Sequence, residues 1–237
     1  MPFLMIRNDI TKVAADAIVN PANRNLLQGS GTSRAIYQAA GEQELTAACE
    51  AIGHCDLGRA VCTPAFGLPA KYIFHAVCPA WHGGFFGEAK QLAGAYHSAL
   101  ELAAEYHCES VAFPLLSSGN YGYPKEQAFR IAVDTITQYV MEHDLTVYLV
   151  LYDRHSLAVS CCTVICAAAL LRAGAFPQRQ VLVKTPGAIR PGCQCRRRRS
   201  FRTAAQKFLR YAGVYSCRRL RSDLHGQHPR QPPRYPY

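Results

Sequence analysis

Asp16-Ala17-Ile18-Val19-Asn20-Pro21-Ala22-Asn23, closely followed by Gln28-Gly29-Ser30-Gly31-Thr32-Ser33, joins an apolar run to a polar, glycine-bearing loop. Ala17 to Val19 is a short apolar run and reads as a buried strand. Two asparagines, a proline and a Gly-Ser-Gly turn end it. Arg34-Ala35-Ile36-Tyr37-Gln38-Ala39-Ala40-Gly41 then reads as a short helix closed by a glycine. The unit is therefore strand, polar loop, glycine turn, helix start. Glycines let a backbone approach a ligand closely, and the free N–H groups of a helix N-terminus attract negative charge. Gly and Asn are also ordinary turn residues, so this loop alone is a weak signal.

A second loop of the same kind strengthens it. Ser110-Val111-Ala112-Phe113-Pro114-Leu115-Leu116 reads as another buried strand, and Ser117-Ser118-Gly119-Asn120-Tyr121-Gly122-Tyr123-Pro124 follows. Pro124 at a first helical position and Glu126 in a first turn mark a helix start. Gly119 and Gly122 are expected at positive φ, exposing consecutive N–H groups as an anion nest. Two glycine loops at the C-terminal ends of strands, each leading into a helix, are what a ligand crevice in an α/β sheet requires.

The rest of the chain alternates. Strands are expected near Phe3–Arg7, Ala17–Asn20, Arg59–Thr63, Tyr72–Cys78, Ser110–Leu115 and Thr146–Tyr152. Helices are expected near Thr32–Ala40, Gln43–Ile52, Gly87–Tyr106 and Lys125–Glu142. Within the third helix Leu92, Tyr96, Ala99, Leu100 and Ala103 share one face, which is core spacing. The alternation predicts an α/β domain with a mostly parallel sheet covered on both sides.

Five ordered motifs in this stretch resemble the macro domain family (ADP-ribose-binding, Appr-1″-p-processing). Asn8-Asp9-Ile10-Thr11 is similar to its G-D-I-T, and Asp16 to Asn23 to its D-A-I-V-N-A-A-N, with Pro21 in place of an alanine. Arg59 to Pro64 and Lys71 to Pro79 resemble its central strands, the latter ending in I-H-x-V-x-P. Ser117 to Tyr123 resembles S-T-G-x-Y-G-Y. The resemblance covers Pro2 to about Asp153. It implies a three-layer α/β/α sandwich with a mixed, mostly parallel sheet, which binds ADP-ribose or an ADP-ribosylated protein without a cofactor.

By that resemblance, Asp9 accepts a hydrogen bond from the adenine amino group and the Ile10 backbone completes that edge. An ionised carboxylate is acceptor-only, which selects an amine. The plain alternative for Asp9 is a turn or helix-capping residue. Asn20 ends its strand, as a ligand contact or as a brace for the loop. Asn23 points at the distal ribose. Gly29, Ser30, Gly31 and Thr32 on one side, and Ser117, Ser118, Gly119, Asn120 and Tyr121 on the other, wrap the diphosphate. Tyr121 packs over the distal ribose. Tyr152 stacks near adenine or is a core tyrosine.

Asn23 and Ser33 are the candidate catalytic residues. In the hydrolase branch the glycine turn reads G-G-G-V-D-G, and the resemblance puts Ser33 at its aspartate and Tyr37 at the histidine of many members. A serine has no basicity near neutral pH and cannot replace a carboxylate general base unaided. Hydrolysis of ADP-ribosyl esters, or of metabolites derived from ADP-ribose, is therefore left open beside simple binding.

Composition changes sharply after Asp153. Up to that residue there are nine Lys and Arg against fifteen Asp and Glu; beyond it there are seventeen basic residues and one acid, Asp223. The overall charge of +10 thus describes the tail. Arg196 to Arg199, Arg218-Arg219-Leu220-Arg221 and a Pro-rich end read as low order. We expect a macro domain over 1–173 and a basic tail over 174–237. A protein that binds nucleic acid through this tail is the alternative function. The apolar segment from Leu157 to Leu171 falls short of the about 20 residues that span a membrane, and predicts a terminal helix packed on the sheet. No membrane partner is expected. Met1 to Ile10 reads as a strand rather than a signal peptide, so a cytoplasmic location is expected. The eleven cysteines form no C-x-x-C pair, and no metal site is expected. Cys62, Cys78 and His75 read as buried strand residues.

Overall fold

The structure is a computed structural model that describes residues 3–152. The helix expected over Leu157–Leu171, the boundary at 173 and the basic tail lie outside the described residues. Strands β1 (Phe3–Ile6), β2 (Ala17–Ala22), β3 (Ala60–Pro64), β4 (Tyr72–Val77), β5 (Ser110–Pro114) and β6 (Thr146–Val150) form one sheet in the order β1-β6-β5-β2-β4-β3. Only the β3–β4 pair is antiparallel; the other four pairs are parallel. Helices α1 (Thr32–Ala40), α2 (Glu42–Ile52), α3 (Glu88–Glu105) and α4 (Lys125–Glu142) cover the two faces. This is the mostly parallel, doubly covered sheet expected from the alternation, and the mixed sandwich that the resemblance implies.

Period 2 in the strands divides the apolar residues between two cores. Val19, Phe74, Phe113 and Leu149 face one side, under α3 and α4, where Leu92, Tyr96, Leu100, Phe129 and Ile136 meet them. Ile18, Ile73, Ala112 and Val150 face the other, under α1 and α2, against Ile36, Tyr37 and Leu45. The short edge strand β3 ends at Pro64, where a residue without an N–H is tolerated.

The sheet topology opens the crevice. From β2 the chain crosses to β3 and β4 on one side and later to β5 on the other. The pairing of β2 with β5 covers only Ala17–Val111 and Ile18–Ala112. Beyond that the strands part, and their C-terminal loops diverge at a topological switch point, where open α/β sheets bind ligands. The first residue of the long motif does a different job. Asp16 sits at the opposite edge, where its carboxylate accepts N–H bonds from Glu109 (2.9 Å) and Ser110 (3.1 Å). It also pairs with Lys71 at 2.8 Å, and the Lys71 ammonium holds it below the usual carboxylate range. It ties the starts of β2, β4 and β5 together.

His75 is a core histidine. Asn20 Nδ2 donates to its Nδ1 (3.0 Å), so its Nε2–H donates to Thr63 Oγ1 (2.9 Å). Burial lowers its pKa to about 4. A neutral folded histidine binds fewer protons than an unfolded one with a pKa near 6.5. Stability is therefore complete above about pH 6.5 and is lost as pH falls towards 4, at about 1.4 kcal/mol per unit. Urea unfolding at pH 7.5 and at pH 4.5 is expected to show this loss, and a His75→Phe variant to show a shallower one.

Candidate functional site

A cleft of about 390 Å³ opens at the C-terminal edge of the parallel strands. The segment after β1 gives it Asn8, Asp9 and Ile10; α1 gives Gly31, Thr32 and Ala35; the end of β5 gives Pro114, Leu115 and Ser118; the end of β6 gives Val150, Leu151 and Tyr152. Six of the expected residues therefore line one space: Asp9, Ile10, Gly31, Thr32, Ser118 and Tyr152.

Asp9 takes the capping role while lining the cleft. It caps the 3-10 turn Ile10–Lys12, with Oδ1 accepting from Thr11 N (3.1 Å) and Thr11 Oγ1 (2.8 Å). Oδ2 is the oxygen left for a ligand. Tyr152 is 76% exposed, so it is no core tyrosine, and it lines the same cleft as Asp9 with its ring available to a flat partner.

Gly31 is where the glycine turn needs its glycine. At φ 60° and ψ −124° it precedes α1 in a conformation that L-residues with a side chain avoid. No side chain caps α1, so its first N–H groups remain free beside the cleft. An anion placed there meets those donors and the positive end of the helix dipole. Gly29 is needed for space instead: a Cβ on it would lie 3.2 Å from Ser33 Cβ.

The second loop differs from expectation in one respect. Gly122 has positive φ, but Gly119 does not; the other left-handed residue is Ser117, at φ 60°. Gly119 stands where a Cβ would meet open space. Ser117 is buried and its Oγ donates to Pro79 O (2.9 Å), so it ties the loop to the end of β4 rather than facing a ligand. Ser118 Oγ donates to Leu115 O (2.7 Å) at the cleft wall. Across the opening, Asn120 Nδ2 donates to Ser30 Oγ, bridging the two glycine loops.

Two expected site residues face inwards. Asn20, expected among the ligand contacts, is 1% exposed and bound to His75, with its Oδ1 unpartnered among the described residues. Ser33, a candidate catalytic residue, is 2% exposed, and its Oγ accepts from Gly29 N at 3.2 Å. It supports the turn from beneath. Asn23 shapes its own loop: Nδ2 donates to Leu27 O (2.7 Å), while Oδ1 accepts from Asn25 N (3.2 Å) and Leu27 N (3.1 Å). Tyr37 reinforces that loop from the core, its hydroxyl donating to Leu26 O at 2.7 Å. Asn23→Ala is expected to lower stability by about 1–3 kcal/mol through these lost bonds, apart from any effect on catalysis. Urea unfolding of the variant, compared with its ligand affinity, checks both.

Ala35, Val150 and Leu151 went unremarked as site residues in the sequence. Their only signal is position, one helical turn past the glycine turn or at the end of a buried strand. No group of His, Cys, Asp and Glu among the described residues could hold a metal ion. No described helix is long and apolar enough to cross a membrane.

The Macro domain profile matches residues 19–132. Macro domain-containing protein CT2219 of Chlorobaculum tepidum is 49% identical over 133 residues, covering 56% of this chain and 77% of that protein. This chain belongs to the macro domain family. The O-acetyl-ADP-ribose deacetylase of Salmonella typhimurium is 44% identical to it, over 64% of this chain and 88% of that enzyme. The Oceanobacillus iheyensis macrodomain with ADP superposes with a TM-score of 0.66 at 34% identity, covering 71% of this chain and 91% of the other. A mutant of that protein with ADPR superposes equally well, with a TM-score of 0.66. The fold and motif order of this macro domain thus agree with solved relatives over nearly their whole length.

Proposed function

We propose that this macro domain binds ADP-ribose, free or attached to a protein, with adenine between Asp9 and Tyr152 and the diphosphate on the N-terminus of α1. The carrying observation is the cleft itself, which one carboxylate, one exposed ring and the uncapped N-terminus of a helix line together. Relatives named as O-acetyl-ADP-ribose deacetylases and a Trypanosoma brucei macrodomain in complex with ADP-ribose support it. Asn23 and Tyr121 take the distal ribose, and the loop from Ser118 to Tyr121 closes on the diphosphate.

Hydrolysis of an ADP-ribosyl ester is slow in this reading. Ser33 supplies no base, and Asn23 has both side-chain atoms engaged in its loop. What remains is positioning and electrostatic stabilisation by backbone N–H groups, which act without a proton acceptor.

Comparing ADP-ribose with its guanine counterpart tests the site. The guanine carbonyl would face the Asp9 carboxylate, acceptor against acceptor, so ADP-ribose is expected to bind at least about tenfold tighter. Equal affinity would remove the adenine assignment. The candidate residues all lie between Asp9 and Tyr152, so removing residues 174–237 is expected to leave affinity for ADP-ribose unchanged. Calorimetry of the shortened protein checks this; loss of binding would make the basic tail part of the site.

A further inference from the structure

The loop after β4 is built to present two aromatic rings. Trp81-His82-Gly83-Gly84-Phe85-Phe86-Gly87 leads from β4 into α3. Phe85 is 88% exposed and Phe86 70%. Beneath them Glu88 is 1% exposed, and its carboxylate accepts three backbone N–H bonds from the loop. Oε1 takes those of His82 and Gly84, both at 3.1 Å, and Oε2 that of Phe86 at 2.8 Å. Gly83, Gly84 and Gly87 all have positive φ, and a Cβ on Gly84 would lie 2.9 Å from the Trp81 ring. The loop's shape is thus fixed from below by a buried carboxylate, while its two most apolar side chains point into water.

The sheet order places this loop beside the cleft. Along the C-terminal edge, β1 and β6 carry the adenine residues, and β5 and β2 carry the two glycine loops. β4 comes next. Trp81 N donates to Tyr121 O (2.8 Å), and the Trp81 ring packs on Tyr123 at 4.6 Å between centroids. The Phe85–Phe86 loop is therefore fastened to the loop assigned to the distal ribose. Leu27, 57% exposed on the Asn23 loop after β2, stands on the neighbouring strand end.

We propose that the Phe85–Phe86 loop is a subsite for the polypeptide flanking an ADP-ribosylated side chain. The inference rests on the ADP-ribose reading of the cleft, and it names the class of substrate that the site takes. A ligand lying from β1 towards β2 carries its attached group out at this end. An acetyl group has one methyl to bury. Two exposed phenylalanines offer far more apolar surface than that, each ring being among the largest apolar areas a side chain can contribute. A peptide segment with apolar residues next to the modified side chain is of matching size and chemistry.

The test uses a peptide carrying ADP-ribose through an amide that resists hydrolysis, with apolar residues on both sides of the attachment. A second conjugate has only Gly and Ser there. The parent is expected to bind the apolar conjugate about tenfold tighter than free ADP-ribose, and the Gly/Ser conjugate no tighter than free ADP-ribose. The F85S/F86S double variant is expected to keep its melting temperature and its affinity for free ADP-ribose, and to lose the tenfold gain. Equal binding of both conjugates by the parent, or a gain retained by the variant, overturns the proposal. A parent dimer that the double substitution dissociates also overturns it, since the rings would then cover a second copy. Failure of the parent to bind free ADP-ribose at all would instead remove the reading of the cleft, and this inference with it.

Discussion

Asp9→Asn is expected to weaken ADP-ribose binding about ten- to hundredfold while leaving the melting temperature unchanged. Asp9 has two separable duties. One oxygen caps the turn at Ile10–Lys12 through Thr11. The other is, in the proposed reading, the acceptor for the adenine amino group. Asparagine is as good a cap as aspartate, so the turn survives. Its second atom, however, is an N–H₂ donor, which would face the amine of the base. A hydrogen bond to a charged group contributes about 1.5–3 kcal/mol, which sets the expected range. Asp9→Ala removes both duties and should cost stability as well. The pair of variants, measured by calorimetry and thermal unfolding, separates recognition from capping. An Asn variant that binds as tightly as the parent would leave Asp9 a capping residue only.

Ser33→Asp is expected to raise the rate of ADP-ribose release from a glutamate-ADP-ribosylated protein by about a hundredfold or more. A positioned general base contributes on the order of a hundred- to ten-thousandfold, and the parent has none in this turn. Ser33 faces inwards, so the longer aspartate side chain must reach past the turn to act on a water in the cleft. Ser33 is in the first turn of α1, where negative charge is favoured, and the Gly29 N–H that now meets its hydroxyl can meet a carboxylate oxygen instead. Arg34, next in the chain and exposed, could pair with the new group, so Ser33→Asp/Arg34→Gly belongs in the same assay. A parent that already releases ADP-ribose rapidly, with no gain from the aspartate, would show that positioning alone drives this chemistry.

The sheet was readable because each strand is a short apolar run punctuated by Gly, Pro or Asn, and four such runs alternate with helices of clear period. The ranges of α1 and α4 came out as expected for the same reason: a glycine or proline stands at the start and a change of polarity at the end. Cleft-lining residues were legible where the backbone shapes the cleft, as at Gly31, because the glycine turn there stands between a buried strand and a helix and is matched by a second glycine loop. Side-chain direction was not legible. Asn20 and Asn23 look alike in sequence, yet the strand's period of two turns Asn20 into the core beside His75, while Asn23 lies past the strand end in the loop. Ser33 faces Gly29 because of its angular position on α1, and Gly119 differs from Gly122 only through a turn that Ser117 closes by taking the left-handed conformation itself. The Phe85–Phe86 loop escaped notice for a related reason: the buried state of Glu88, which gives the loop its shape, depends on three backbone groups that no residue type reveals.

The central claim is that the cleft between Asp9 and the start of α1 takes ADP-ribose. Calorimetric titration of the whole protein with ADP-ribose tests it most directly. A saturable one-site isotherm with heat of binding, greatly weakened in Asp9→Asn, is the predicted result. An absence of binding heat at ligand concentrations well above those of the protein, with the protein folded, would contradict it.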